Sequence, residues 1–290
     1  MTSQPLDSMA RAGRRCHHTL NAMHSTVYFS PDLRREMSAL GVEDAVAPLL
    51  LTRAAALGPV SAGAVTGLFY NFSHEQVARC LPAAWETASP SAVLDARLRA
   101  ADGTLRRLLG EEVVASAELA EAAELALRAT RGCARPGRPL YSAHADLPVP
   151  AEPHLAYWHA ATLLREHRGD GHVSALLTLD LDPLEAVITH TATGRGMATR
   201  LNRATRGWPR AAWDSAHDRL LERGLLDADG DLTPAGVTLR AELEDLTDRL
   251  DQGPYDHLGA AGVARLTSIG QSLVKTVTAA GAFPADAFGR

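Results

Sequence analysis

The sequence predicts a mainly α-helical protein: tandem winged-helix (helix-turn-helix) domains with small β-wings. Three observations carry this. Aromatics make up only 5% of 290 residues, and no extended run shows β-type alternation. Residues 195–240 read in order as helix, turn, helix, hairpin, helix. A short pattern also recurs: Gly58-Pro59-Val60-Ser61-Ala62 matches Gly171-His172-Val173-Ser174-Ala175 at four of five positions, 113 residues further on.

The elements follow in chain order. Ser30-Pro31-Asp32 caps a helix that Gly41 stops, and Gly58-Pro59 separates helices over 45–57 and 60–70. Ser73 caps a short helix ended by Pro82. Ser89-Pro90 opens one to Leu109, with a break expected at Gly103, and Ser116 caps another to Arg131. Pro153 starts a helix to Arg165, which Arg168-Gly169-Asp170-Gly171 is expected to interrupt before a short helix over 172–179. Asp182-Pro183 opens a helix to His190. Arg195–Thr205 and residues 210–223 then flank the turn Arg206-Gly207-Trp208-Pro209, a hairpin turns at Asp229-Gly230, and Thr233-Pro234 starts the next helix. The expected division is an N-terminal helical, winged-helix-like domain (1–135), a Pro/Gly-rich linker (136–152), a C-terminal helix-turn-helix and winged-helix domain (153–250) and a helical segment (251–290).

Net charge is −5, which argues against a generic nucleic-acid coat. No apolar run approaches the ~20 residues of a membrane span, and the first residues lack the apolar centre of a signal peptide, so the expectation is a cytoplasmic protein without membrane contact. Cys16, Cys80 and Cys133 are isolated, as suits reduced thiols and not a cysteine metal site. No Walker loop, dinucleotide fingerprint or nucleophile elbow is present, and no cofactor is expected.

Six ionisable groups crowd into eight residues: Arg165, Glu166, His167, Arg168, Asp170 and His172. Such a cluster is costly to bury unless paired internally or by a ligand. One reading is an ion-pair network that pins helices. A second is a small-molecule pocket, in which His167 or His172 with Asp170 or Glu166 does acid–base work and arginines hold an anionic group. A third is a metal site, although the spacing fits no zinc pattern and no metal is assigned. The repeat places Arg53–Gly58 opposite Arg165–Gly171, so Arg53, Arg165 and Arg168, with His24, Tyr28 and Tyr70, are candidate ligand contacts across a common cleft.

Tyr28-Phe29-Ser30-Pro31, Arg53-Ala54-Ala55-Ala56-Leu57-Gly58, Gly137-Arg138-Pro139-Leu140-Tyr141, the block Leu164–His172 and Arg206-Gly207-Trp208 span almost the whole chain. In these stretches the sequence resembles the actinobacterial SalK-like helix-turn-helix family, whose wing is similar to that of MarR-type regulators. The resemblance implies tandem winged helices and frequent occurrence among secondary-metabolism proteins.

Two functions are expected from different classes, beside a third reading as a structural or protein-interaction module whose charges are solvated or self-paired. The first is a small-molecule-binding protein, catalytic or not, with an interdomain pocket around the charged block and an anionic ligand. The second is a ligand-responsive MarR-like regulator, a homodimer contacting DNA through Arg195, Arg200, Arg203, Arg206 and Arg210, five arginines with no acid across residues 195–210. Against the second, Asp214, Asp218 and Glu222 form an acidic stripe at i, i+4 and i+8 on the presumed recognition helix.

Overall fold

A computed structural model describes residues 8–289; residues 1–7, part of the expected N-terminal domain and of the stretch read for a signal peptide, lie outside them. The N-terminal half runs α1 (Ser8–Ser25), α2 (Pro31–Ser38), α3 (Ala47–Ala54), α4 (Ala62–Phe69), α5 (His74–Cys80), α6 (Ala83–Thr87), α7 (Pro90–Leu109), α8 (Glu111–Val114) and α9 (Ala117–Thr130). After these come α10 (Pro139–His144), α11 (Pro153–Thr178), α12 (Pro183–Ala192), α13 (Thr199–Arg206), α14 (Arg210–Glu222), α15 (Pro234–Leu250) and α16 (Gln252–Ala279). Short 3-10 turns follow α1 and α3, over Thr26–Phe29 and Ala55–Leu57. No single helix among the described residues is long and apolar enough to cross a membrane.

Local chemistry sets most of the helix starts. The side chains of Ser30, Ser73, Ser89, Ser116, Asp182 and Thr233 each accept an amide hydrogen from the first turn they precede, and Asp182 with Glu185 completes a capping box. Each such cap contributes about 1 kcal/mol.

Two expected breaks are absent. Helix α11 runs unbroken through Arg168-Gly169-Asp170-Gly171, and α7 runs through Gly103. In both places the glycine makes room for a neighbour and no turn is needed. A Cβ on Gly171 would lie 2.6 Å from Nη1 of Arg138, and one on Gly103 would lie 3.3 Å from a carboxylate oxygen of Asp32. Residues 195–198, expected to be helical, instead lie along the C-terminal tail. Met197 and Phe288 form an antiparallel bridge there, and the Ala198 amide donates to the Ala287 carbonyl at 3.0 Å. Between α14 and α15 the expected hairpin is a single bridge, Leu226 to Leu232, and no longer strand occurs among the described residues. Leu225 and Leu226 turn inward onto Leu220, which leaves arms too short for a ladder.

One large core joins α1, α3, α7, α9, the first half of α11 and most of α16. Smaller clusters serve the C-terminal half: Ala175, Leu176, Leu181, Ala186 and Leu243 in one, and Leu184, Val187, Trp213 and Ala216 in another. Helix α11 therefore feeds two cores, with its charged block between them. The segment 136–152 is packed and not free: Arg138, Leu140, Tyr141 and His144 are buried.

Candidate functional site

Because α11 is continuous, the charged block is distributed around one helix. Positions four apart share a stripe, and each stripe meets a different neighbour. Glu166 and Asp170 form the first. Glu166 is fully buried and accepts from Arg53 through both oxygens, at 3.0 and 2.8 Å, and from Arg165 at 2.6 Å. Asp170 accepts the Tyr141 amide at 3.0 Å, and burial pushes its carboxyl up to about 6. Arg168 and His172 form the second stripe and face α15. Arg168 pairs with Asp248 at 2.8 Å and Glu244 at 3.2 Å, and His172 lies 2.9 Å from the Thr247 hydroxyl. His167 and Gly171 form the third. His167 Nε2 accepts the Ala134 amide at 3.3 Å, so its Nδ1–H donates to Asp251 at 2.7 Å, while Arg138 fills the space over Gly171 and donates to the His167 and Leu250 carbonyls.

The proposed acid–base set, His167, Asp170, His172 and Glu166, is thus not assembled around one point. Its members face three directions, each with a partner, and Arg168 is consumed with them. Arg53 and Glu166 are 113 residues apart, the same spacing as the short sequence match.

The loop between α4 and α5 meets the loop between α13 and α14. The Ser73 amide donates to the Arg206 carbonyl at 2.8 Å, the Ser73 hydroxyl to the Gly207 carbonyl at 2.9 Å, and the Trp208 indole to the Asn71 carbonyl at 3.0 Å. Gly207 has φ +73°, and a Cβ there would lie 2.2 Å from Cβ of Gln76, so both the conformation and the close approach require glycine. Tyr70 is drawn into this joint, its hydroxyl donating to the Leu181 carbonyl at 2.5 Å.

Arginines gather beside the joint. Arg53 stacks on Phe69 with 4.2 Å from guanidinium carbon to ring centre, Arg206 stacks on Phe72 at 4.3 Å, and the two rings meet edge to face at 6.2 Å. Arg165 lies 5.8 Å from the Tyr28 ring centre and donates to Asn21 at 3.2 Å. Arg206 has no carboxylate partner among the described residues, and its Nε is buried without an acceptor. Burial, reinforced by Arg53 and Arg165, pulls its guanidinium down to about 10. Glu166 accepts hydrogen bonds from two of this group, and Asp170 adds a longer-range negative charge felt by Arg53. Burial would raise the Glu166 carboxyl, but Arg53 and Arg165 outweigh that and hold it well below the usual range.

A polar layer lies behind. His24 Nδ1 is 3.0 Å from the Thr162 hydroxyl and Nε2 is 3.1 Å from the Tyr28 hydroxyl, while the ring stacks on Trp158 at 5.2 Å. Arg97 is 5% exposed, stacks on Trp158 at 4.5 Å and reaches Thr162 and His144, at 3.3 and 3.4 Å. Burial, with Arg97 adding repulsion, depresses His144 to about 3 and His159 to about 4. Sequence reading missed Arg97. The signal for Arg97 was present, since it continues the buried stripe Val93, Ala96, Ala100 and Ala101 of α7.

The DNA candidates divide differently. Arg200 pairs with Asp286 of the tail, Arg203 lies 5.4 Å from the Trp213 ring centre, and Arg210 lies 3.6 Å from Asp214. Arg206 turns inward and Arg195 is exposed. On α14 the acids Asp214, Asp218 and Glu222 are exposed, while Arg219 and Arg223 hold Glu185 at 3.3 and 2.6 Å.

A helix-turn-helix family model matches residues 13–284. No curated protein and no solved structure matches the chain at significance.

Proposed function

The chain belongs to this helix-turn-helix family, and from that premise we propose that it is a small-molecule-binding protein whose site lies at the joint between its two helix-turn-helix turns. The ligand is anionic and is held by Arg53, Arg165 and Arg206, with Phe69, Phe72 and Tyr28 as walls. One observation carries the reading: Arg53 and Arg165 share the carboxylate of Glu166 while Arg206 beside them has no carboxylate partner among the described residues, a surplus of positive charge in a partly buried place. Unpaired charge there is costly, and an arginine fork is matched by a carboxylate or phosphate. Joints between domains are also favoured ligand sites.

Residues 1–135 and 153–250 are read as two winged-helix-like units. The order α12, α13, α14, bridged turn, α15 supports a MarR-like plan with a reduced wing, and the SalK-like resemblance fits an occupation with small molecules of secondary metabolism. The exposed acidic stripe of α14 repels phosphate, so the DNA-facing surface of such a plan is not the working one.

The test is calorimetric titration of lactate and of inorganic phosphate, against chloride at matched ionic strength, into the wild type and Arg206→Met. Saturable one-to-one binding of at least one anion, lost in Arg206→Met, is expected, and at a hundred times Kd it stabilises by about 2.7 kcal/mol. Stabilisation by ionic strength alone, or equal binding by the variant, overturns the reading.

A further inference from the structure

We propose that the site selects an anion carrying a hydrogen-bond donor beside its charge, a 2-hydroxycarboxylate and not a plain carboxylate, and that Tyr28 reads the donor. The inference rests on the ligand-binding reading above and adds the ligand's chemical class. It follows from a chain of hydrogen bonds whose polarity is fixed from its buried end.

The Thr162 hydroxyl donates to the Trp158 carbonyl at 3.0 Å, so its hydrogen is committed. Arg97 Nη2 lies 3.3 Å from the Thr162 oxygen and can only donate, because a guanidinium has no acceptor. One lone pair of that oxygen remains, facing His24 Nδ1 at 3.0 Å. Nδ1 therefore carries the hydrogen. Burial, with Arg165 and Arg97 adding repulsion, holds His24 well below its ordinary value, so the ring is neutral and Nε2 is bare. Nε2 accepts from the Tyr28 hydroxyl at 3.1 Å. The Trp158 stack, 5.2 Å between centres and 15° between planes, and the Trp158 indole bond to the His24 carbonyl at 3.3 Å keep the imidazole in place.

The Tyr28 hydrogen is thus spent inward, and the phenol oxygen has only lone pairs to offer outward. Tyr28 is partly exposed while His24, Thr162 and Arg97 are buried, so Tyr28 is the end of the chain that a ligand can meet. Arg165 lies over the Tyr28 ring and spends one Nη1 hydrogen on Glu166, leaving donors for an incoming anion. An oxyanion on Arg165 and Arg206 places its neighbouring group beside an obligate acceptor. A hydroxyl satisfies that acceptor and a methylene does not.

Lactate and propionate differ by one hydroxyl at equal charge, and titrating both into the wild type, Tyr28→Phe and Thr162→Val tests the inference. The wild type is expected to bind lactate roughly five- to tenfold more tightly. Tyr28→Phe is expected to bind the two within about twofold of each other, near the wild-type propionate affinity. Thr162→Val removes the acceptor that orients His24, frees the imidazole to donate to Tyr28, and is expected to lose the lactate preference as well. Equal affinities in the wild type, or a lactate preference that survives Tyr28→Phe, overturn the selectivity and leave the anion site standing. Binding of neither acid, with phosphate bound, overturns the selectivity alone; binding of no anion overturns the site and the selectivity together.

Discussion

The outer face of α14 and the joint between the turns use the same side chain in opposite circumstances. Along α14 each arginine has an acid in reach: Asp214 for Arg210, and Glu185 for Arg219 and Arg223. At the joint Arg53 and Arg165 share one carboxylate, and Arg206 has none among the described residues. The first arrangement is self-neutralising: Arg210 and Asp214 are an exposed pair, worth about 0–1 kcal/mol, and Arg219 and Arg223 neutralise the buried Glu185. The second leaves a surplus that only an added anion removes. Density of arginine is therefore a poor guide to anion binding, and the local balance of charge is the useful one.

Breaking the joint gives the largest expected effect. Glu166→Gln removes the carboxylate and leaves Arg53 and Arg165 facing each other and Arg206. A loss of about 3–5 kcal/mol is expected from the shift in urea midpoint. A loss below 1 kcal/mol would mean that water already screens the cluster.

Acid sharpens the same contrast, since the interior histidines are kept neutral. His144 is depressed to about 3, and His159 and His172 to about 4, each from an ordinary 6.5 and chiefly by burial. Their stability contribution is complete above pH 6.5. As pH falls from 6.5 towards 4 the unfolded chain takes up protons that the folded chain refuses. Stability then drops by up to about 1.4 kcal/mol per pH unit for each histidine. Asp170, raised from 3.8 to about 6, acts in the opposite sense over that window, and one group does not offset three. Denaturant midpoints at pH 7, 6, 5 and 4 check the slope; a flat profile contradicts it.

Gly171→Ala is milder. Its Cβ would lie 2.6 Å from Arg138, forcing that side chain off the His167 and Leu250 carbonyls. A loss of about 1–3 kcal/mol is expected in thermal melts. On α14 the change is smallest: Asp214→Asn/Asp218→Asn/Glu222→Gln is expected to move stability by about 0.5 kcal/mol or less. The informative readout there is mobility shift on the upstream DNA of its own gene at two salt concentrations. No salt-steep binding is expected for the wild type and a weak gain for the triple variant; specific binding by the wild type, lost in Arg200→Ala/Arg203→Ala, would favour the regulator.

Helix starts were legible because caps are local, as Ser73, Asp182 and Thr233 illustrate. Continuity across Gly171 was not, because it depends on Arg138, 33 residues earlier in the chain, filling a space that a local reading assigns to a turn. The meeting of Arg53 with Arg165 and Glu166 was legible from the repeat, and its bidentate form was not. Arg206 was misplaced for a related reason. It lies among four other arginines of a basic stretch, yet Ser73 holds its backbone against the other turn and Phe72 takes its side chain inward.

The central claim is that Arg206 is a surplus cation kept for a ligand, and the most direct measurement compares the stability of ligand-free Arg206→Met with the wild type by urea denaturation. If the claim holds, the variant is as stable or more stable, since repulsion from Arg53 and Arg165 is relieved, while lactate no longer shifts its midpoint. A ligand-free variant weaker by about 2 kcal/mol or more would make Arg206 a structural clamp on Phe72, and the account would fail at its centre.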